Sequence, residues 1–352
     1  MRVGVDGRSL VGGGARGVAH YTAALLEALA SEFPGDEYRV LLPRGSASVP
    51  AGVVPIRSAL PARALFGAAA VARRPTLSAL LPGCDVVWAP APAPLAPGST
   101  PFVLTVHDRS WEERPQDFTA YERVWHRLAR PRGLARRAAR VLCDTEVVRG
   151  EVIRAWGLDA RRVRAVPLAP RAFAGAAADG RYFLFVGALE PRKAPNILIE
   201  GFGLARRQGL DAELLVVGEG RESADAPGVR RLGRVDDLGG LYAGALAVVL
   251  PSWLEGFGLP PVEGLAAGAP AIVSDLPVLR EVLGGGALYV PPGDARALAD
   301  ALLALSRDDA LRTRLLTAGE AHISSLSWAS TARLTREVLV EAAGERRIEG
   351  KP

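Results

Sequence analysis

Lysine is nearly absent from this sequence: of 43 basic residues only Lys193 and Lys351 are lysines, and the rest are arginine. A chain that otherwise uses arginine keeps one internal lysine, which singles out the segment around Lys193. Cysteine is equally scarce. Cys84 and Cys143 each lie in an apolar, strand-like run, so no disulfide framework is implied and both read as buried thiols. No stretch approaches the eighteen or so uninterrupted apolar residues that a membrane-spanning helix needs. The opening segment MRVGVDGRSL places an apolar strand where a signal peptide carries its basic region, so a cytoplasmic location is expected.

What is present is the balance of a folded protein, with 49% hydrophobic and 23% charged residues. At 352 residues the chain is too long for one ordinary core, and two domains are expected. A net charge of +5 does not argue for a nucleic-acid partner, because the basic residues are scattered among 38 acidic ones.

Short β-branched runs alternate with longer amphipathic stretches, the pattern of parallel sheets flanked by helices. Strands are expected at Arg2–Val5, Tyr38–Leu42, Val53–Ile56, Val86–Trp88, Phe102–Val106 and Val141–Cys143. Helices fit Val18–Phe33, Ala62–Arg73, Phe118–Arg130 and Glu146–Ala155, the third ended by Pro131. A proline-, alanine- and glycine-rich stretch, Pro167–Gly180, reads as a linker. The second series has strands at Tyr182–Val186, Glu213–Val217, Ala247–Leu250, Ala271–Val273 and Ala287–Val290. Its helices fit Ala194–Arg207, Leu238–Ala243, Pro261–Ala267, Ala295–Arg307 and Asp309–Ile323. The expected class is α/β, with two doubly wound domains and a cleft between them, over residues 1–170 and 171–326. A last segment, 327–352, is expected to form a helix that packs back on the first domain.

Four stretches carry candidate chemistry. Gly12–Gly17 follows a strand and precedes a helix, where glycine lets the backbone approach a phosphate and the helix start favours an anion; an ordinary flexible turn is the alternative. His107, before Asp108, ends an apolar strand and either bonds a sugar hydroxyl or is structural, with Asp108 fixing its tautomer. Arg192 and Lys193 follow the first strand of the second domain. Two cations at a helix start gain nothing from the helix dipole, and a bound diphosphate would remove that conflict; a solvated basic turn is the alternative. The fourth stretch is Glu255-Gly-Phe-Gly-Leu-Pro-Pro-Val-Glu263, in which seven residues separate two glutamates. Gly256 and Gly258 free the loop backbone, Pro260 and Pro261 suit a helix start, and the carboxylates suit hydroxyl-rich ligands. Two solvated acids are the alternative, and without a histidine or aspartate cluster nearby a metal site is not expected.

These residues together resemble the retaining glycosyltransferases of family four, which have the GT-B architecture of two facing Rossmann-like domains. The resemblance covers nearly the whole length. Glu255 to Glu263 is similar to that family's E-x7-E signature, Gly187-Ala-Leu-Glu-Pro-Arg-Lys193 to its donor diphosphate segment, and Arg16-Gly-Val-Ala-His-Tyr21 to its N-domain glycine loop. The resemblance implies that Glu255 holds hydroxyls of the transferred sugar, supported by backbone donors at Gly256, Phe257, Gly258 and Leu259. Glu263 would accept from the ribose, and Arg192 and Lys193 would neutralise the diphosphate beside Gly187. Gly17 and Gly14 would approach the phosphates from the other domain, His107 would contact the donor sugar, and Val235 would line the base pocket. Departures at Ala19-His20, where an arginine is common, and at Ala194 bear mainly on the acceptor side.

The implied activity is hexosyl transfer, mannose or rhamnose favoured, from a GDP-, UDP- or dTDP-linked sugar to a glycan, lipid-linked or small-molecule acceptor. No cofactor and no metal are implied, because the two cations take the metal's role. A nucleotide-sugar epimerase or a phosphorylase of the same architecture is the alternative. The absence of a complete GxGxxG fingerprint counts against a dinucleotide oxidoreductase. An arginine-rich stretch from Arg123 to Arg140 leaves two readings open: a solvated surface, or peripheral contact with anionic lipid at the inner membrane face.

Overall fold

The alternation of apolar runs and amphipathic stretches folds into two parallel α/β units, seen in a computed structural model that describes residues 1–11, 16–45, 49–171, 173, 178 and 181–349. One unit comprises Met1–Leu168 with Ser327–Pro352, and the other Ala169–Leu326.

The strands of the first unit are β1 (Arg2–Asp6), β2 (Glu37–Leu42), β3 (Val53–Arg57), β4 (Val86–Ala89), β5 (Phe102–Val106), β6 (Arg140–Cys143) and β7 (Val163–Ala165). They form one sheet in the order β3-β2-β1-β4-β5-β6-β7, every pairing parallel. In the second unit β8 (Tyr182–Val186), β9 (Glu213–Val217), β10 (Val229–Gly233), β11 (Ala247–Leu250), β12 (Ala271–Ser274) and β13 (Ala287–Val290) are ordered β10-β9-β8-β11-β12-β13, again all parallel. The order reverses direction between β1 and β4 and between β8 and β11. At such a switch point neighbouring loops leave the sheet towards opposite faces and open a crevice for ligands.

Central strands carry the continuous apolar runs that burial on both faces demands: Val86–Ala89, Phe102–Val106 and Ala247–Leu250 are buried throughout. The expected α/β class is the one observed. Two strands escape the sequence reading, β7 and β10, and both are sheet edges. β10 exposes Arg230 and Arg231 and so lacks an apolar run to announce it. The helix Pro277–Leu283 also went unread. Pro131 does not simply end a helix: Ala120–Ala129 stops at Arg130, which is left-handed (φ 49), and Pro131 opens a further helix, Pro131–Arg137. Proline is tolerated in a first helical turn, whose N–H groups have no intrahelical partner.

The helix Trp328–Glu349 is part of the first unit. Thr331 donates to the Pro167 carbonyl at 2.7 Å, Arg336 pairs with Asp36 at 2.6 Å, and Arg140 pairs with both Glu341 and Glu345. Asp36 also receives the amino terminus at 2.8 Å. Burial alone would raise the Asp36 pKa, but its two cations outweigh that and hold it below the ordinary aspartate value.

Candidate active site

The second unit gathers its buried charges at its switch point. β8 and β11 are paired, so the turn after one and the loop after the other leave the sheet side by side. Trp253 N donates to the Arg192 carbonyl at 2.8 Å and ties the two segments together. Pro191–Lys193 forms a single 3-10 turn, Ala194 is left-handed (φ 50), and the helix begins only at Pro195. The expectation that Arg192 and Lys193 open this helix, with Ala194 inside it, is therefore corrected. A proline disfavours the right-handed helical conformation in the residue before it, which keeps the two cations ahead of the helix.

Lys193 Nζ donates to Glu255 Oε1 at 2.5 Å, and the two side chains are only 10% and 6% exposed. Neither is a solvated surface charge, which removes the plain alternative for both. Arg192 is more open and bonds Glu190 Oε2 at 3.1 Å. Gly256 and Phe257, which follow Glu255 in the loop, are also buried. Gly258 caps the helix Leu259–Ala266 with φ +86, and a Cβ there would stand 2.5 Å from Leu279 Cδ2, so both backbone and space call for glycine. Leu259 is the first residue of that helix, and Pro260 and Pro261 follow it in the first turn.

Glu263 lies one turn further on, 3% exposed. Its Oε1 accepts from Arg171 Nε at 2.7 Å, and its Oε2 accepts from Arg171 Nη2 at 3.3 Å and from the Tyr242 hydroxyl at 2.8 Å. Burial, then the Glu263 charge, push the Tyr242 phenol well above its ordinary range, so it remains a donor. Val235 is half-buried and packs on the apolar cluster that contains Tyr242, Leu238 and Tyr182. Gly187 follows β8, its N–H donating to the Val217 carbonyl at 3.0 Å. Its own carbonyl lies where a Cβ on Gly218 (φ +131) would come within 1.9 Å.

In the first unit His107 follows β5 and joins three strand ends. Its Nδ1 lies 2.7 Å from Asp144 Oδ2, after β6, and its Nε2 lies 2.9 Å from the Pro90 carbonyl, after β4. Both partners are acceptors, so a neutral imidazole would aim one lone pair at another; the arrangement requires both nitrogens to carry protons. Burial opposes that charge, yet the Asp144 carboxylate, with Asp108 and the Pro90 carbonyl, outweighs it and raises the His107 pKa above its ordinary value. The aspartate that orients the ring is thus Asp144 and not Asp108, which instead accepts from Ser110 N and Oγ. Both ring nitrogens are thus engaged within the first unit. Tyr21 meets the ring edge-on at 4.7 Å.

Gly17 is the second residue of the helix Arg16–Glu32, exposed, with open space where a side chain would be. Gly14 lies outside the described residues. In the second unit a direct bond joins Lys193 to Glu255 and Trp253 ties the Arg192 carbonyl to the same loop, whereas Glu263, further along in the following helix, bonds Arg171 and Tyr242. Sequence reasoning missed Arg171, Tyr242 and Asp144, and also the buried Asp6–Arg8 pair, bonded at 2.7 Å where β1 ends. Only Asp6 and Arg8 carried a local signal, two charges at the end of an apolar strand. Among the described residues no group of three or more His, Cys, Asp or Glu is placed to hold a metal ion, and no helix is long and apolar enough to cross a membrane.

Comparison with known proteins agrees with this geometry. The model of "Glycosyltransferase Family 4" matches residues 15–169 and that of "Glycosyl transferases group 1" matches residues 180–308. A phosphatidyl-myo-inositol mannosyltransferase of Mycobacterium leprae is 39% identical over 166 residues, which are 44% of each chain. Matches to such curated relatives span from 42% to 59% of the relatives' own lengths, about half. Sucrose-phosphate synthase from Thermosynechococcus elongatus superposes with a TM-score of 0.74 at 20% identity, over 98% of this chain and 100% of that one. Anabaena Alr3699/HepE in complex with UDP-glucose gives 0.69 at 18% identity, over 97% and 99%. The two parallel sheets are those of the GT-B fold, and the chain belongs to glycosyltransferase family 4.

Proposed function

We propose that this protein transfers a hexose, mannose or rhamnose, from a nucleotide-diphosphate sugar to an acceptor hydroxyl with retention of configuration. The observation that carries the reading is the buried Lys193–Glu255 pair at the β8–β11 switch point. A cation and an acid withdrawn from water at a crevice-forming position are costly unless used, and each would meet one half of such a donor. Glu255 accepts from sugar hydroxyls, while Lys193 turns from Glu255 to the diphosphate and shares it with Arg192. The mannosyltransferase relative supports the choice of sugar, and a GT-B protein solved with UDP-glucose supports a nucleotide-sugar donor.

In the reaction the bond between the anomeric carbon and the phosphate oxygen breaks while charge gathers on the departing diphosphate, where Lys193 and Arg192 stabilise it. The acceptor oxygen then bonds the same carbon from the face just vacated. Its proton passes to a departing phosphate oxygen, so no protein nucleophile is invoked. With two cations on the diphosphate, no divalent ion is needed, and EDTA is expected to leave the rate unchanged.

Removing one well-aimed stabilising donor typically costs ~10²–10³-fold in rate. Lys193→Ala and Glu255→Ala are each expected to lose at least that much transfer from the best of a GDP-, UDP- and dTDP-sugar panel, with circular dichroism reporting the fold. Wild-type turnover in either folded variant defeats the assignment.

The acceptor side of the proposal belongs to the first unit and includes peripheral contact with anionic lipid. On the helix Ala120–Ala129, Tyr121, Val124 and Leu128 share one exposed face beside Arg123 and Arg127. An apolar stripe flanked by arginines is the make-up of a helix lying at a lipid headgroup layer.

A further inference from the structure

Glu263 is a buried carboxylate whose two oxygens are both bonded by protein donors in the same unit. Arg171 bonds one oxygen through Nε and the other through Nη2, the side-on fork that fixes a carboxylate in one plane. Tyr242, wholly buried, adds a third bond to Oε2. A carboxylate offers about four acceptor directions, so three donors at 2.7 to 3.3 Å leave about one unused. They also forbid the rotation by which a free glutamate would follow its ligand. Arg171 is braced in turn: its guanidinium lies 5.1 Å from the Phe173 ring centroid, and Phe173 packs against Tyr242 at 5.3 Å.

A guanidinium on a buried acid could be a mere structural pair, but its placement argues for more. Arg171 stands 92 residues from Glu263 in sequence, just inside the start of the second unit, and its side chain is 35% exposed while Glu263's is 4%. Neutral ribose hydroxyls do not replace the guanidinium's charge, and expelling it would strand a buried carboxylate, so the ribose is expected to join Arg171 and not displace it.

We propose that Arg171 is a positioning residue for the donor nucleotide: with Tyr242 it fixes the Glu263 carboxylate in the orientation that presents an acceptor to a ribose hydroxyl. This rests on the reading of Glu263 as the ribose acceptor. Hydrogen bonds to charged groups are worth enough that losing this alignment should weaken nucleotide binding by roughly ten- to a hundredfold.

The test titrates full-length wild type, Arg171→Ala, Arg171→Lys and Glu263→Gln with matched ribo- and 2′-deoxyribonucleoside diphosphates, UDP with dUDP and GDP with dGDP. Thermal melting of each variant is followed alongside. Wild type should prefer the ribonucleotide, and Glu263→Gln should abolish that preference. Arg171→Ala should weaken ribonucleotide binding and shrink the preference towards one, with Arg171→Lys recovering part of both. In turnover its KM for the donor should rise more than kcat falls. If Glu263→Gln keeps the wild-type preference, the ribose reading itself is wrong. If Glu263→Gln loses it while Arg171→Ala keeps it and only melts earlier, Arg171 is a structural pair and the inference is overturned.

Discussion

The two units share a sheet plan but differ in what they leave in solvent. In the first, large apolar side chains are left in solvent: Val54, Leu60, Val71, Tyr121, Val124, Leu128, Leu334 and Val340. In the second, no large apolar side chain is exposed among the described residues, while both units bury charge: Asp6, Arg8, Asp117 and Asp144 in the first, Lys193, Glu255 and Glu263 in the second. Buried charge needs a specific partner, whereas exposed apolar surface among arginines suits a broad, weakly ordered one. If the second unit holds the charged donor and the first meets a bulkier acceptor, as proposed, exposed apolar surface confined to the first unit is what that division asks for.

The sharpest way to break this comparison is to disturb the buried charges. Lys193→Ala leaves Glu255 without that cation, and stranding a buried charge typically costs about 3–5 kcal/mol. Denaturant titration should show a loss in each of the single variants Lys193→Met and Glu255→Gln, with the double variant recovering much of it. Additive losses would mean that the two side chains do not depend on each other.

A smaller effect is expected at the exposed face of the first unit. Replacing Val124 and Leu128 by serine should weaken retention on vesicles containing anionic lipid by roughly tenfold, as burial of two apolar side chains allows. Stability should hardly change, since both residues are already in solvent. Equal retention of wild type and variant, or no retention of either at low salt, removes the lipid contact.

The smallest expected effect concerns His107. Its pKa is raised in the folded state, so the stabilisation is complete below the unfolded histidine value near 6.5 and is lost as pH rises through the folded value. Wild type should therefore lose stability as pH rises from about 6 through that window. In Asp144→Asn the slope should flatten. An unchanged slope in that variant would show that Asp144 does not hold the proton.

The sequence was most legible where one physical signal dominated. Tyr182–Val186, Glu213–Val217, Ala247–Leu250 and Ala287–Val290 are strands with the bounds their apolar runs suggest. Val229–Gly233 is not legible, because an edge strand with solvated arginines has no need of that run. At the site, the glutamate spacing and the internal lysine could be read locally. Their partners could not: Lys193 and Glu255 lie 62 residues apart, Glu263 and Tyr242 21, and His107 and Asp144 37. Such pairs meet only because strand order brings distant loops together. The direct Lys193–Glu255 bond was unforeseen for a further reason. A family resemblance describes what each side chain offers a ligand, not how the two neutralise each other without one.

The helix Trp328–Glu349 is threaded back into the unit where the chain began, so the second unit is an insertion within the first. During synthesis the inserted segment can finish folding while its host still lacks a wall. Val338, Leu339 and Ala342, the buried face of that helix, reach their places last. A nascent first unit must therefore wait with part of its core uncovered.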